Sequence, residues 1–113
     1  MNETTTDIDP FKSVRRGLLE LAVLTTLSRG RLYAAEIRER LDGTPFATQE
    51  GTLYPLLGKL RRDGLLDHVW EESESGPPRK YHGLTDHGTQ RREELGRYWQ
   101  ELATTLETLG APR

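Results

Sequence analysis

The chain has 113 residues, 30% of them charged and 34% hydrophobic, with a formal net charge of −2. That length holds one domain and about one added element, and the mild negative charge argues against a strong non-specific nucleic-acid binder. The lack of cysteine excludes disulfides and thiolate metal sites and suits a reducing cytoplasm, while no apolar run approaches the roughly 18 residues that span a bilayer.

Residues 1–11 carry Glu3, Asp7 and Asp9 before the first basic residue, Lys12, and read as a disordered tail rather than a secretory leader. A first helix is predicted over 12–28. Val14, Leu18, Leu21, Ala22, Leu24 and Leu27 recur at three- and four-residue spacing, and Leu19 and Val23 widen the stripe. Ser28-Arg29-Gly30 ends it. A second helix is predicted over about 33–42, with Ala35, Ile37 and Leu41 inward, followed by the turn Asp42-Gly43-Thr44-Pro45. A third begins near Thr48, a good N-cap, and carries Leu53, Leu56, Leu57 and Leu60 on one face. Pro55 lies inside that stripe. The first turn tolerates proline because its N–H groups have no helical partner, which places the start of the helix proper near Gly51.

After Asp63-Gly64 the period changes. Leu65–Glu72 reads as a strand, Glu74-Ser75-Gly76-Pro77-Pro78 as a loop tip, and Arg79–Leu84 as the returning strand. Thr85 then caps a long helix to about Leu109, whose seam of Leu95, Trp99, Leu102, Leu106 and Leu109 alternates four and three. The expected fold is mainly α with a small β-hairpin: a winged helix-turn-helix DNA-binding domain over 12–84, then a C-terminal dimerisation helix over 85–110. In such an arrangement the third helix enters the major groove of duplex DNA and the hairpin lies along the neighbouring backbone.

The segment Gly51-Thr52-Leu53-Tyr54-Pro55-Leu56-Leu57-Gly58-Lys59-Leu60, with Asp63-Gly64-Leu65-Leu66, Pro78-Arg79-Lys80-Tyr81 and Leu84-Thr85-Asp86-His87-Gly88, resembles the PadR family of bacterial transcriptional regulators. The likeness runs from about residue 15 to 108, and the single final helix is similar to the small subfamily. It implies a homodimeric repressor, with some members answering to phenolic acids or drug-like aromatic molecules.

Side chains that reach DNA follow from chemistry. Thr48, Gln49 and Thr52 offer hydrogen bonds at the start of the recognition helix, and Gln pairs bidentately with adenine; the alternative for Thr48 is an N-cap and for Gln49 plain solvation. Tyr54 and Lys59 suit phosphate contact, which fixes register without reading sequence; packing against the wing is the alternative for Tyr54. Tyr33 opens the second helix, where it either meets a phosphate or packs under the first helix. Arg79 and Lys80 are strand neighbours and point to opposite faces, so both cannot reach one phosphate. Cations gather at Lys12–Arg16, Lys59–Arg62 and Arg79–Lys80, leaving room for a local basic face. Glu71, Glu72 and Glu74 would repel DNA, and the acidic strand is expected to face away from it.

The final seam has nothing to bury against in one copy, so Leu95, Trp99, Leu102, Leu106 and Leu109 are expected to meet a second copy, joined by Val14, Leu18 and Leu21. In multidrug-responsive members of the family an aromatic residue on this helix sandwiches flat ligands. Trp99 matches that place, with Tyr98 beside it, and Glu20 would suit a cationic ligand; the alternative is that Trp99 only packs the dimer. His68, His82 and His87 match no metal spacing and read as structural or solvated. No cofactor motif or nucleophile–base signature occurs. The chain is thus read as a cytoplasmic DNA-binding regulator on a pseudo-palindromic operator, with a protein-docking module or a small enzyme as rivals.

Overall fold

In a computed structural model, residues 9–112 are described; the tail expected over 1–11 therefore lies outside them up to residue 8. Asp9 starts a turn, accepts from the Phe11 N–H at 2.9 Å and pairs with Arg15. Helix α1 (Lys12–Thr26) follows, then a short strand β1 (Leu32–Tyr33), helix α2 (Ala34–Leu41), helix α3 (Glu50–Arg62), strand β2 (Leu66–Ser73), strand β3 (Gly76–Leu84) and helix α4 (Asp86–Leu109).

The apolar stripes meet in one core. Val23, Leu24 and Leu27 of the first helical segment pack on Ile37 and Leu41 of α2, Leu53, Leu57 and Leu60 of α3, and Leu65 and Leu66 at the start of β2. Each fully buried leucine contributes about 1.5–3 kcal/mol, so this tri-helical centre fixes α3 relative to the rest. Strands β2 and β3 form an antiparallel hairpin, His68 opposite His82 and Trp70 opposite Lys80, and β1 adds on the far side of β3 with Tyr33 opposite Tyr81.

Four details differ from the sequence expectation. Strand β1 is only two residues long, too short for any periodic signal. The N-cap of α3 is Gln49, with no side-chain cap, rather than Thr48. The helix starts at Glu50, so Pro55 lies beyond the first turn and the Gly51 carbonyl loses its helical partner. Both residues are exposed, so water can satisfy that carbonyl, and Gly51 carries no side chain to crowd the ring. Finally, β3 begins at Gly76, before the two prolines. There it has β2 on one side only and a register irregularity between Glu71 and Ser73, so the missing proline N–H groups cost no ladder bond on the open side.

The joint between α3 and α4 is tight. Gly64 closes α3 with φ of +79°, a conformation that glycine adopts without strain. Thr85 caps α4: its Oγ1 accepts from the Gly88 N–H at 3.0 Å and donates to the Gly64 carbonyl at 2.7 Å. The Thr85 N–H donates to the Leu65 carbonyl at 3.1 Å. Farther along, Arg91 of α4 reaches Glu20 of α1 at 3.3 Å.

Candidate nucleic-acid interface

Helix α3 buries Leu53, Leu57 and Leu60 and therefore turns the opposite side outward. At 100° per residue, Gly51, Pro55, Gly58 and Arg62 lie along the centre of that outer side. Thr52 and Lys59 flank it on one edge, Tyr54 and Arg61 on the other. Gly51 and Pro55 leave a low surface at the N-terminal end of that side, the Arg62 guanidinium lies beside Gly58 farther along, and the flanking groups carry the hydrogen-bonding groups and charge.

Gln49 and Thr52 are exposed, and Thr48 is half-buried. Thr48, Gln49 and Gly51 border a shallow depression shared with Arg38, Asp42 and Glu50. Arg38 pairs with Glu50 at 3.0 Å there, which joins the end of α2 to the start of α3. Lys59 is exposed but pairs with Asp63 at 2.9 Å. That hydrogen bond raises the Lys59 ammonium above its ordinary range and lowers the Asp63 carboxyl. An exposed pair of this kind is worth little, so a phosphate can compete for Lys59.

On the other edge, a cleft of about 400 Å³ opens between the beginning of α2, the outer flank of α3 and β3. Tyr33, Tyr54, Arg61, Arg79, Lys80 and His82 line it with Ala34, Ala35, Leu57 and Gly58. Tyr54 is 51% exposed. The strand alternation holds: Arg79 stacks over the Tyr33 ring at 4.6 Å, and Lys80 over the Trp70 ring at 5.4 Å. Tyr33 also meets Tyr81 edge to face at 5.3 Å, so its ring packs on the sheet rather than under α1. Its N–H donates to Glu36 at 3.2 Å, so a carboxylate already serves the start of α2. Glu71 lies opposite Arg79 in the hairpin, on the face away from Leu66 and the core.

Arg61, which the sequence shows only as one of the Lys59–Arg62 run, joins this cleft. Cationic clustering is visible in the sequence, but helix phase decides which cations share a cleft. Of the alternatives for His82, structural or solvated, the structure has it buried: it is only 8% exposed, and among the described residues its Nδ1 has no hydrogen-bond partner. Burial, then Lys80, His68 and Arg61 nearby, push it down to about 4. Because the folded value lies below the unfolded one, the neutral ring's contribution to stability is complete above about pH 6.5 and declines as pH falls towards about 4.

A second groove runs between α1 and α4, lined by Leu21, Thr25, Arg92, Gly96, Arg97, Trp99 and Gln100 among others. Trp99 is 37% exposed, and Leu102, Leu106 and Leu109 continue the apolar seam outward with Val14 on α1. Leu18 and Leu21 are half-buried, and Leu95 packs against the core. Tyr98 is exposed and does not line the groove, and Glu20 is held by Arg91 two turns of α4 before Trp99. The structure therefore brings Trp99 together with Leu21 but not with Glu20. Among the described residues, no group of three or more His, Asp or Glu is placed to hold a metal, and no helix is long and apolar enough to cross a membrane.

Residues 23–94 match the model of the Transcriptional regulator PadR-like family. The fold is shared with solved structures. A PadR-like transcription factor from Bacteroides fragilis is 41% identical with a TM-score of 0.77, over 90% of this chain and 100% of that one. A PadR-like transcriptional regulator from Bacillus cereus is 30% identical with a TM-score of 0.78, over 89% and 99%. A PadR family transcriptional regulator from Eggerthella lenta is 31% identical with a TM-score of 0.79, over 90% and 89%.

Proposed function

We propose that this chain, which belongs to the PadR-like family of transcriptional regulators, acts as a homodimeric repressor released by a small aromatic effector. Membership makes it a DNA-binding transcriptional regulator and not an enzyme. Residues 12–84 form the reading head and 85–110 the dimerisation arm. Each copy inserts α3 into one major groove of a pseudo-palindromic operator, with half-sites about one helical turn apart. Thr48, Gln49 and Thr52 approach base edges, while Lys59, Tyr54, Tyr33, Arg79 and Lys80 hold the backbone. Repression follows from competition with polymerase at the promoter in the cytoplasm.

The observation that carries this reading is the outer face of α3: a low Gly51–Pro55 surface with Gln49 and Thr52 exposed beside it, Arg62 beyond it and cations on both flanks. Gln49→Ala and Thr52→Ala are expected to weaken operator binding by about 1–3 kcal/mol each where the contact is to a base, with helical circular dichroism unchanged. Fluorescence anisotropy on the promoter upstream of the chain's own gene measures this. Wild-type binding that stays at the micromolar, sequence-indifferent level would remove the repressor reading and leave a protein-docking module.

The apolar seam of α4 pairs with its symmetry mate, and Val14, Leu18 and Leu21 extend the interface. Two Trp99 rings then lie close to the two-fold axis beside the α1–α4 groove, a fit for a flat ligand. Such a ligand shifts the separation of the two reading heads, and so lowers operator affinity to the extent that it prefers the shifted state. Trp99→Ala is expected to abolish release of operator DNA by planar aromatic compounds while binding of the operator persists. Release retained in that variant would place the effector elsewhere.

A further inference from the structure

The cleft between α3 and β3 has the composition of an anion site. Its cations are Arg61 from α3, Arg79 and Lys80 from β3, and no carboxylate lines it. Its remaining wall is apolar or aromatic, with Leu57, Tyr33 and Tyr54. At its inner side lies His82, more than nine-tenths buried, with an Nδ1 that finds no partner in the described protein. The groups that oppose a charge on the ring are Lys80 on its own strand, His68 on β2 at 6.4 Å between ring centres, and Arg61 on α3.

The geometry points to a phosphate site in this cleft, in which Arg61 and Lys80 hold one backbone phosphate of duplex DNA and His82 donates to it from below after taking a proton from solvent. The inference rests on the reading of the chain as a DNA-binding regulator and adds two residues to it. The cations that now oppose protonation of His82 are neutralised by the incoming phosphate, and the phosphate itself favours the imidazolium. Binding then takes up a proton, and affinity rises as pH falls. The hydrogen bond from the protonated ring to the phosphate is charge-assisted. The source of the phosphate is taken to be DNA because the cleft adjoins the outer flank of α3, where a strand beside the reading helix must pass.

The test uses the full chain and a mixed-sequence DNA duplex, titrated over a range of salt. The double variant Arg61→Gln/Lys80→Gln is expected to reduce the slope of log affinity against log salt by about 0.9, the share of the one phosphate that the two side chains hold. Arg61 is exposed, so its replacement leaves the fold intact. Wild-type affinity is expected to rise about tenfold from about pH 7.5 to about pH 5.5 beyond any rise in His82→Gln, if the phosphate restores the ring to its ordinary range. The His82 ring signals in NMR are expected to titrate at higher pH with duplex than without. Wild-type binding with the slope unchanged in the double variant would overturn the phosphate site and leave the regulator reading standing. No duplex binding by the wild type would overturn both. Inorganic phosphate that shifts the His82 signals at millimolar concentration, with a slope indifferent to the double variant, would assign the cleft to a free phosphate compound and overturn the DNA assignment.

Discussion

Leu102→Glu is expected to weaken self-association by at least about a thousandfold while each copy stays folded. Leu102 is 41% exposed in the single chain and lies on the α4 seam between Trp99 and Leu106, outside the buried core. Burying the exposed two-fifths of Leu102 contributes about 1 kcal/mol, and a two-fold interface counts every substitution twice. The loss is therefore about 2 kcal/mol of apolar burial, to which the two unpaired carboxylates in the seam add at least about as much again, and each 1.4 kcal/mol is tenfold. Sedimentation equilibrium reads the association, and circular dichroism reads the retained helix. The effect carries to DNA, since a single reading head holds one half-site only and loses the gain from two linked contacts. A dimer of unchanged strength would move the interface off the α4 seam.

Gly88→Ala is expected to cost about 3 kcal/mol or more of stability and to lower the melting temperature by on the order of 10 °C. A Cβ at Gly88 would clash with the Leu65 carbonyl oxygen, a backbone atom in the turn between α3 and β2, so α4 or that turn must move. The Leu65 oxygen also accepts from Thr85, so relief by a shift breaks the cap of α4. Gly96→Ala is the control on the same helix. Nothing lies within 4 Å of its Cβ position, and alanine is favoured over glycine in a helix by about 1 kcal/mol, so that variant should be more stable. Equal effects at the two positions would contradict the close approach. The same joint links α4 to the turn that ends α3.

The sequence made legible whatever is written in periodicity or local capping. The Leu53–Leu57–Leu60 stripe, the Thr85 cap and the hairpin were all readable, because each needs only neighbours within a few residues. Gly88 was visible as part of the Leu84–Gly88 motif, yet its reason was not, since the atom it makes room for lies 23 positions away in Leu65. Strand β1 was hidden because two residues show no period, and it is defined by Tyr81 and His82 across the sheet. Pro55 was placed one turn too early by a rule about free N–H groups; an exposed, side-chain-free Gly51 is what allows it. The proposed DNA face follows from residue types in the sequence, but its grouping does not. Lys59 and Arg61 read alike in the chain, but the helix sends Lys59 to Asp63 and Arg61 to the cleft that His82 and Lys80 also line.

The most direct test is selection of DNA from a random-sequence pool with the full chain, followed by weighing the complex on the selected duplex. The expected result is a pseudo-palindrome with half-sites about one helical turn apart, bound by two chains per duplex. Selection that enriches no common sequence, or a complex that saturates at one chain per duplex, would contradict a dimeric reader of DNA.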